Sequence, residues 1–255
     1  MKKSVLCSVI FCALAANVSA EETKPFTMDG EFGLIVTSGN TETTSVKGKL
    51  SAHQELEEWS NDFIIEGLYK KDQVTVDEET VTQTTAQKWF VSGQANYKLE
   101  NPDHRLFGFG SYEDDRFSSY DYQSTVAVGW NQKLWADETS SFEYSIGPGY
   151  SYSKTQSTED ADGNFVAGET EKGLIVRGAL DYQWKISDTA TFKQLLSTEV
   201  GEDNTKSKSV TSLSAAINGS LSMKFSVTLD HNSGASDDTE KLDTQTAVTL
   251  VYTFF

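Results

Sequence analysis

From Ser141 to Ser153 the chain alternates without a slip. Phe142, Tyr144, Ile146, Pro148, Tyr150 and Tyr152 fall on one parity, and Ser141, Glu143, Ser145, Gly147, Gly149, Ser151 and Ser153 on the other. A β-strand sends successive side chains to opposite faces, so this segment makes one apolar face and one polar face. A helix would scatter the same residues around its whole circumference. Farther along, Leu174, Val176, Leu180, Tyr182, Trp184 and Ile186 oppose Arg177, Asp181, Gln183 and Lys185. Leu221, Met223, Phe225, Val227 and Leu229 likewise oppose Ser222, Lys224, Ser226, Thr228 and Asp230. The stretches 89–99 and 120–134 follow the same rule, and none of the five shows helical periodicity.

Runs and breaks together predict twelve strands, near 29–38, 42–56, 60–74, 80–99, 103–117, 119–134, 139–155, 169–186, 189–202, 206–217, 220–231 and 242–255. Connections after even strands are tight, as at Glu57-Glu58-Trp59, Asn101-Pro102, Asp137-Glu138, Ser187-Asp188 and Asn218-Gly219. Most of those after odd strands, at 75–79, 156–168, 203–205 and 232–241, are longer or more charged, while the one near Ser118 is short. Short turns at one end and longer loops at the other are the pattern of an outer-membrane barrel with both termini on the periplasmic side.

A soluble sandwich or lipocalin-like barrel is the competing all-β reading, with the apolar parity turned inward. Strands of ten or more residues are long for it, since globular strands usually have about five or six. Aromatic residues also gather toward strand ends on the apolar parity, at Tyr120, Trp130, Tyr150, Tyr152, Tyr182 and Trp184. That is where interfacial girdles lie. The expected fold class is therefore an all-β, transmembrane, antiparallel up-and-down β-barrel of about twelve strands.

The first twenty residues read as an address. Met1-Lys2-Lys3 is followed by an apolar run from Val5 to Ala16 and by Val18-Ser19-Ala20, the signature of a secretory signal peptide cut after Ala20. A short periplasmic segment, 21–28, then precedes a barrel domain over 29–255. Cys7 and Cys12 leave with the signal, so the exported chain has no thiol for a disulfide, a metal or a nucleophile. Residues 9–11, Val-Ile-Phe, lack the small residues that precede a lipidated cysteine. The 255 residues carry 38 acids against 21 bases, a net charge of −17, which argues against a nucleic-acid partner.

On the polar parity, Lys47, Lys49, Lys88, Lys98, Arg177, Lys185 and Lys224 are expected to face the lumen, as are Asp121, Glu143, Asp181 and Asp230. Two outcomes are open: the charges pair across the barrel and plug it, or they line a narrow aqueous path. Barrels of eight strands enclose only side chains, and those of sixteen leave a channel. Paired charges are the default state in a partly dry lumen.

Catalytic, metal and cofactor sites are not expected. His53 and His104 fall toward the short-turn end and His231 toward the long-loop end, so no pair shares a rim. Asp230-His231 near Ser233 has the residue types of a serine hydrolase, but adjacent strand residues point to opposite faces. Glu159-Asp160-Ala161-Asp162-Gly163-Asn164 fails the spacing of a calcium loop. The loop acids Asp77, Glu78, Glu79, Asp237, Asp238 and Glu240 are read as solvated charges, with cation-bridged lipopolysaccharide the sharper alternative.

The last strand alternates through Val248, Leu250, Tyr252 and Phe254 and ends Phe254-Phe255, which looks like the signal read by the barrel-assembly machinery. Several short motifs then carry a family resemblance. Gly33-Leu34-Ile35-Val36-Thr37-Ser38-Gly39-Asn40-Thr41-Glu42-Thr43, Asp115-Arg116-Phe117-Ser118, Tyr120-Asp121-Tyr122, Gly147-Pro148-Gly149-Tyr150, Gly201-Glu202-Asp203-Asn204-Thr205 and Leu250-Val251-Tyr252-Thr253-Phe254 resemble the YdiY-like salt-induced outer-membrane proteins (domain of unknown function 481). The resemblance runs from about Asp29 onward; the usual ending stops one residue before Phe255. It implies an outer-membrane β-barrel and no settled activity. Expected partners are outer-membrane lipid and lipopolysaccharide, with periplasmic chaperones and the barrel-assembly machinery during biogenesis. The expected role is structural or a passive small-solute pore. A rim-located hydrolase and a surface-binding protein acting through its acidic loops are the alternatives.

Overall fold

A computed structural model describes residues 25–37, 43–76, 79–159, 165–202, 204–235 and 240–254. The expected signal peptide, the Ser38–Glu42 turn, Asp77, Glu78, residues 160–164, Asp203, Asp237, Asp238 and Phe255 lie outside the described residues.

Twelve strands close into one antiparallel barrel. They are β1 (Phe26–Thr37), β2 (Thr43–Glu55), β3 (Trp59–Val76), β4 (Glu79–Lys98), β5 (His104–Asp115), β6 (Tyr120–Ala136), β7 (Ser140–Thr155), β10 (Thr170–Ser187), β11 (Ala190–Gly201), β12 (Thr205–Ala216), β13 (Leu221–Asn232) and β14 (Leu242–Thr253). A two-residue hairpin, β8 (Thr158–Glu159) with β9 (Phe165–Val166), decorates the loop between β7 and β10. Each barrel strand pairs with its sequence neighbours, and β1 pairs with β14 to close the ring.

The expected strands match within a few residues. The expected 75–79 connection shrinks, because β3 and β4 continue pairing as far as Val76↔Glu79. A spanning strand needs about 9–11 residues, so the 18 and 20 residues of β3 and β4 carry this hairpin well past the apolar band.

Side-chain parity sets the two faces. Val126 and Val128 are 60% and 62% exposed while Ala127 between them is 3% exposed; Leu174 is 78% exposed beside Ile175 at 6%. The apolar parity therefore faces out and the polar parity in, the reverse of a soluble barrel. Large rings ring the short-turn end: Trp59 with Tyr97, Trp135 with Phe142, Phe142 with Tyr182, Tyr182 with Phe192, and Tyr252 with Phe254.

Tyr120 departs from its expected place in the outer girdle. A register shift between Tyr120 and Tyr122 reverses the parity, as a bulge does. Tyr120 turns inward and is only 2% exposed.

One seam depends on absent side chains. Between Ala127↔Gly149 and Trp130↔Ile146 the β6–β7 ladder is interrupted beside Pro148, which has no N–H to donate. A Cβ on Gly147 would lie 2.0 Å from the Val128 carbonyl oxygen, and one on Gly129 would lie 2.3 Å from that of Ile146. Glycine at both positions lets the two backbones meet there.

Candidate functional site

The lumen is the candidate site. Its charges come from the inward parity of every wall, and they meet in layers. Near the long-loop end, Lys206 Nζ on β12 lies 3.0 Å from Glu113 Oε1 on β5 and 2.9 Å from Gln123 Oε1 on β6. Four strands separate β12 from β5 on the shorter way round, so this contact crosses the bore. Lys88 on β4 approaches the other Glu113 oxygen at 3.2 Å, Asp115 at 3.6 Å and Asp230 on β13 at 4.0 Å. Lys208 completes the layer, 3.3 Å from Asp230 and 5.5 Å from the ring of Phe90 on the diametrically opposite strand. Three lysines and three carboxylates thus tie opposite walls together.

Below this layer, Glu31 receives Lys224 at 2.8 Å and Lys49 at 3.6 Å. Lys47 lies 3.3 Å from Glu66 and donates to Gln245 at 3.0 Å. On the opposite wall the Arg177 guanidinium stacks over Phe109 at 3.7 Å, with Glu199 at 3.6 Å. Glu199 in turn accepts from the Thr125 hydroxyl at 2.8 Å. At the short-turn end, Arg105 lies 3.4 Å from Glu143, which also accepts from Asn131 at 2.8 Å, and Lys98 lies 2.7 Å from Glu55.

A cavity of about 1100 Å³ remains. It is lined from every strand of the barrel, by small inward residues such as Thr125, Ser145, Ser151 and Ala179 and by paired charges such as Glu31, Lys49, Glu113 and Lys206. Free volume and charge pairing therefore share one bore. Cavity-lining acids and bases are nearly equal in number, although the chain is strongly acidic. The excess negative charge therefore lies elsewhere than in the lumen.

The long-loop mouth is roofed. Tyr120 donates its hydroxyl to the Gly234 carbonyl at 3.0 Å, from β6 to the loop between β13 and β14. Gly234 N–H and the Ser233 hydroxyl both donate to Asn204 Oδ1, at 2.9 and 3.1 Å, and Thr205 N–H donates to Ser233 Oγ at 2.7 Å.

The expected lumen residues distribute unevenly. Glu143, Arg177, Asp181 and Lys224 stand on the cavity wall, with Asp181 held 2.9 Å from Lys193. Lys88 and Asp230 sit in the crossing layer and Lys98 in the short-turn layer. Asp121 and Lys185 are not on the wall. The bulge sets Asp121 against Lys154 at 3.3 Å on the rim, and Lys185 lies exposed, 3.7 Å from Asp188.

Sequence reasoning missed Glu31, Glu66, Arg105, Glu113, Glu199, Lys206 and Lys208. Strand parity holds the signal for each, but β5 hides it: Leu106, Phe107 and Phe109 are apolar on both faces, so Arg105 and Glu113 do not mark an inward side.

The histidines remain apart. His53 Nδ1 is 2.7 Å from Asp62 and Nε2 is 3.3 Å from Glu55; His104 packs on Trp130. Asp230, His231 and Ser233 do not converge, since Asp230 faces Lys208 and the Ser233 hydroxyl bonds to Asn204. Among the described residues, no three His, Cys, Asp or Glu are grouped to hold a metal ion.

Of the expected assembly signal, Val248, Leu250, Tyr252 and Phe254 share the outward face of the final strand, each roughly half exposed. The closing pairing runs from Asp29↔Thr253 to Phe32↔Leu250, with the Thr253 hydroxyl donating to Asp29 at 2.6 Å.

Comparison with known proteins agrees with this architecture. The chain is 26% identical over 234 residues to the uncharacterized protein YdiY of Escherichia coli K12, covering 91% of this chain and 85% of that one. Among solved structures, an outer membrane channel from Pseudomonas putida F1 shares the fold, with a TM-score of 0.51 at 9% identity, over 94% of this chain and all of that chain. The sequence pattern described as "Protein of unknown function, DUF481" matches residues 30–254, and the chain belongs to that family.

Proposed function

We propose that this chain is an integral outer-membrane β-barrel that offers small solutes a narrow, charge-lined path, held nearly closed by the ion pairs that cross its bore. No catalytic role, cofactor or metal is part of this reading. The observation that carries it is a cavity lined from every barrel strand and narrowed by a layer in which Lys206 meets Glu113 across the bore. An apolar outer belt favours membrane insertion, with the short turns on the periplasmic side. Near-equal numbers of lining acids and bases favour weak ion selectivity.

Closure depends on Glu113, which receives Lys88 and Lys206 from opposite sides. Without its charge the two lysines repel one another at close quarters, and they swing apart. The test is single-channel recording on refolded protein in planar bilayers, after heat-modifiable gel mobility has established the folded barrel. Wild type is expected to give small or infrequent steps, and Glu113→Gln larger ones. A folded barrel that stays silent in both forms overturns the pore reading and leaves a structural barrel.

A further inference from the structure

The outer face is not the same all the way round at the long-loop end. Trp89 on β4, Tyr112 on β5, Tyr122 on β6 and Tyr152 on β7 form a continuous row of rings, with successive centroids 5.0, 5.8 and 5.9 Å apart. The two tyrosine–tyrosine contacts are stacked, at 12° and 19° between planes. Tyr69 stands on the next strand, with Lys71 Nζ 5.7 Å from its ring. Lys154 is directly opposite Tyr122 in the ladder, and Lys172 directly opposite Tyr152, so both ammonium groups share the face of the rings.

The other half of the same rim is built differently. Thr198 and Ser207 bond to each other at 2.9 Å, and Val200, Leu229, Leu242 and the imidazole of His231, opposite Ser207 and Leu242 in the ladders, make an outer face with no stacked row of rings among the described residues. At the short-turn end, by contrast, aromatic contacts recur on β3 with β4, on β6 through β11, and on β14. Interfacial anchoring alone calls for rings all around a barrel. The one-sided row therefore needs another reason.

We propose that this row with its lysines is a docking surface for a phosphorylated glycolipid of the outer leaflet. The inference rests on the outer-membrane orientation given above. Charge carries it: in a chain of net charge −17, three lysines gather beside one row of rings. Lys154 shares its charge with Asp121 at 3.3 Å, and Asp114 stands opposite Trp89. Lys71 and Lys172 have no carboxylate within 4.0 Å among the described residues. Ammonium groups at headgroup depth attract lipid phosphates, and the rings below them pack against the acyl boundary.

The test uses the full mature chain, refolded in neutral detergent and titrated with diphosphorylated lipid A by native mass spectrometry. Wild type is expected to retain the lipid. Lys71→Gln and Lys172→Gln should each weaken binding about fivefold, the effect of one cation near an anionic surface. Tyr122→Leu should weaken it too, while Ser209→Ala on the opposite wall should leave it unchanged. Dephosphorylated lipid A should bind weakly and ignore the lysine changes.

Binding indifferent to both lysines overturns the proposal, as does an equal loss in Ser209→Ala. Competition by millimolar inorganic phosphate would make this a general anion site and overturn it as well. Heat-modifiable mobility of every variant separates the outcomes: a folded barrel that does not bind defeats the docking surface alone. A chain that never forms the barrel defeats the membrane reading with it.

Discussion

Arg177 lays its guanidinium 3.7 Å from the ring of Phe109, across two intervening strands of the barrel. The contact fixes a buried cation, 7% exposed, whose carboxylate partner Glu199 is 3.6 Å away, beyond hydrogen-bonding distance. Arg177 is thus held by ring and charge together. Arg177→Ala leaves Glu199 without its cation and should cost about 3 kcal/mol. Arg177→Lys keeps the charge, loses the flat stack and should cost about 1 kcal/mol. Urea unfolding midpoints in detergent micelles check the order: a costless Arg177→Lys would show that the ring contributes nothing, and equal losses that the charge contributes nothing.

Gly147 and Gly108 differ in what a methyl group would meet. At Gly147 a Cβ would collide with a backbone oxygen at 2.0 Å, whereas nothing lies within 4 Å of one on Gly108. Gly147→Ala must push β6 and β7 apart beside Pro148, where the ladder is already interrupted, and should cost on the order of 3 kcal/mol or more. Gly108→Ala should be tolerated. Gel mobility with and without heating reads both; an unaffected Gly147→Ala barrel would mean the seam has slack.

Much of the barrel was legible because one face had to be apolar for its whole height. Alternation placed twelve strands and the even-strand turns from residues such as Phe142 to Tyr152. Loop reasoning was weaker at Tyr120, where a single bulge turned a girdle residue into a buried one and moved Asp121 onto the rim. The partnership of Lys206 with Glu113 was not legible at all. It joins residues 93 positions apart, and closure of the ring, not any local pattern, brings β5 opposite β12.

Asp137 gives a pH handle outside the membrane. In the turn between β6 and β7, its Oδ1 accepts from the Thr139 hydroxyl, Thr139 N–H and Ser140 N–H, each at 2.8 Å. These bonds, the Thr139 hydroxyl foremost, favour the ionised form and hold the pKa down from 3.8 to about 2. A depressed carboxyl contributes stability that is fully present above its unfolded value and is lost as pH falls toward about 2. Asp137→Ala should therefore lower the unfolding midpoint at pH 7, with the gap from wild type closing between pH 4 and 2. A gap that persists unchanged at pH 2 would assign the effect to turn geometry instead.

One hydroxyl ties the loop over the long-loop mouth to β6, beside the bonds that Asn204 and Thr205 make to it. Tyr120 donates to the Gly234 carbonyl, while the Gly234 N–H is held separately by Asn204. Tyr120→Phe keeps the buried ring and removes only the donor, a net loss of about 1 kcal/mol. That loss falls on the loop more than on the barrel, whose strands do not depend on this bond. Opening of the 233–241 loop should rise about fivefold, and proteolysis of a transiently opened segment follows the open population when reclosing is fast. Lys241 offers trypsin an exposed cleavage point in that loop. Tyr120→Phe should therefore be cut there about fivefold faster than wild type, at an almost unchanged unfolding midpoint. Equal cleavage rates would show that Asn204 and Ser233 hold the loop without Tyr120, and a large fall in midpoint would make Tyr120 a packing residue of the whole barrel.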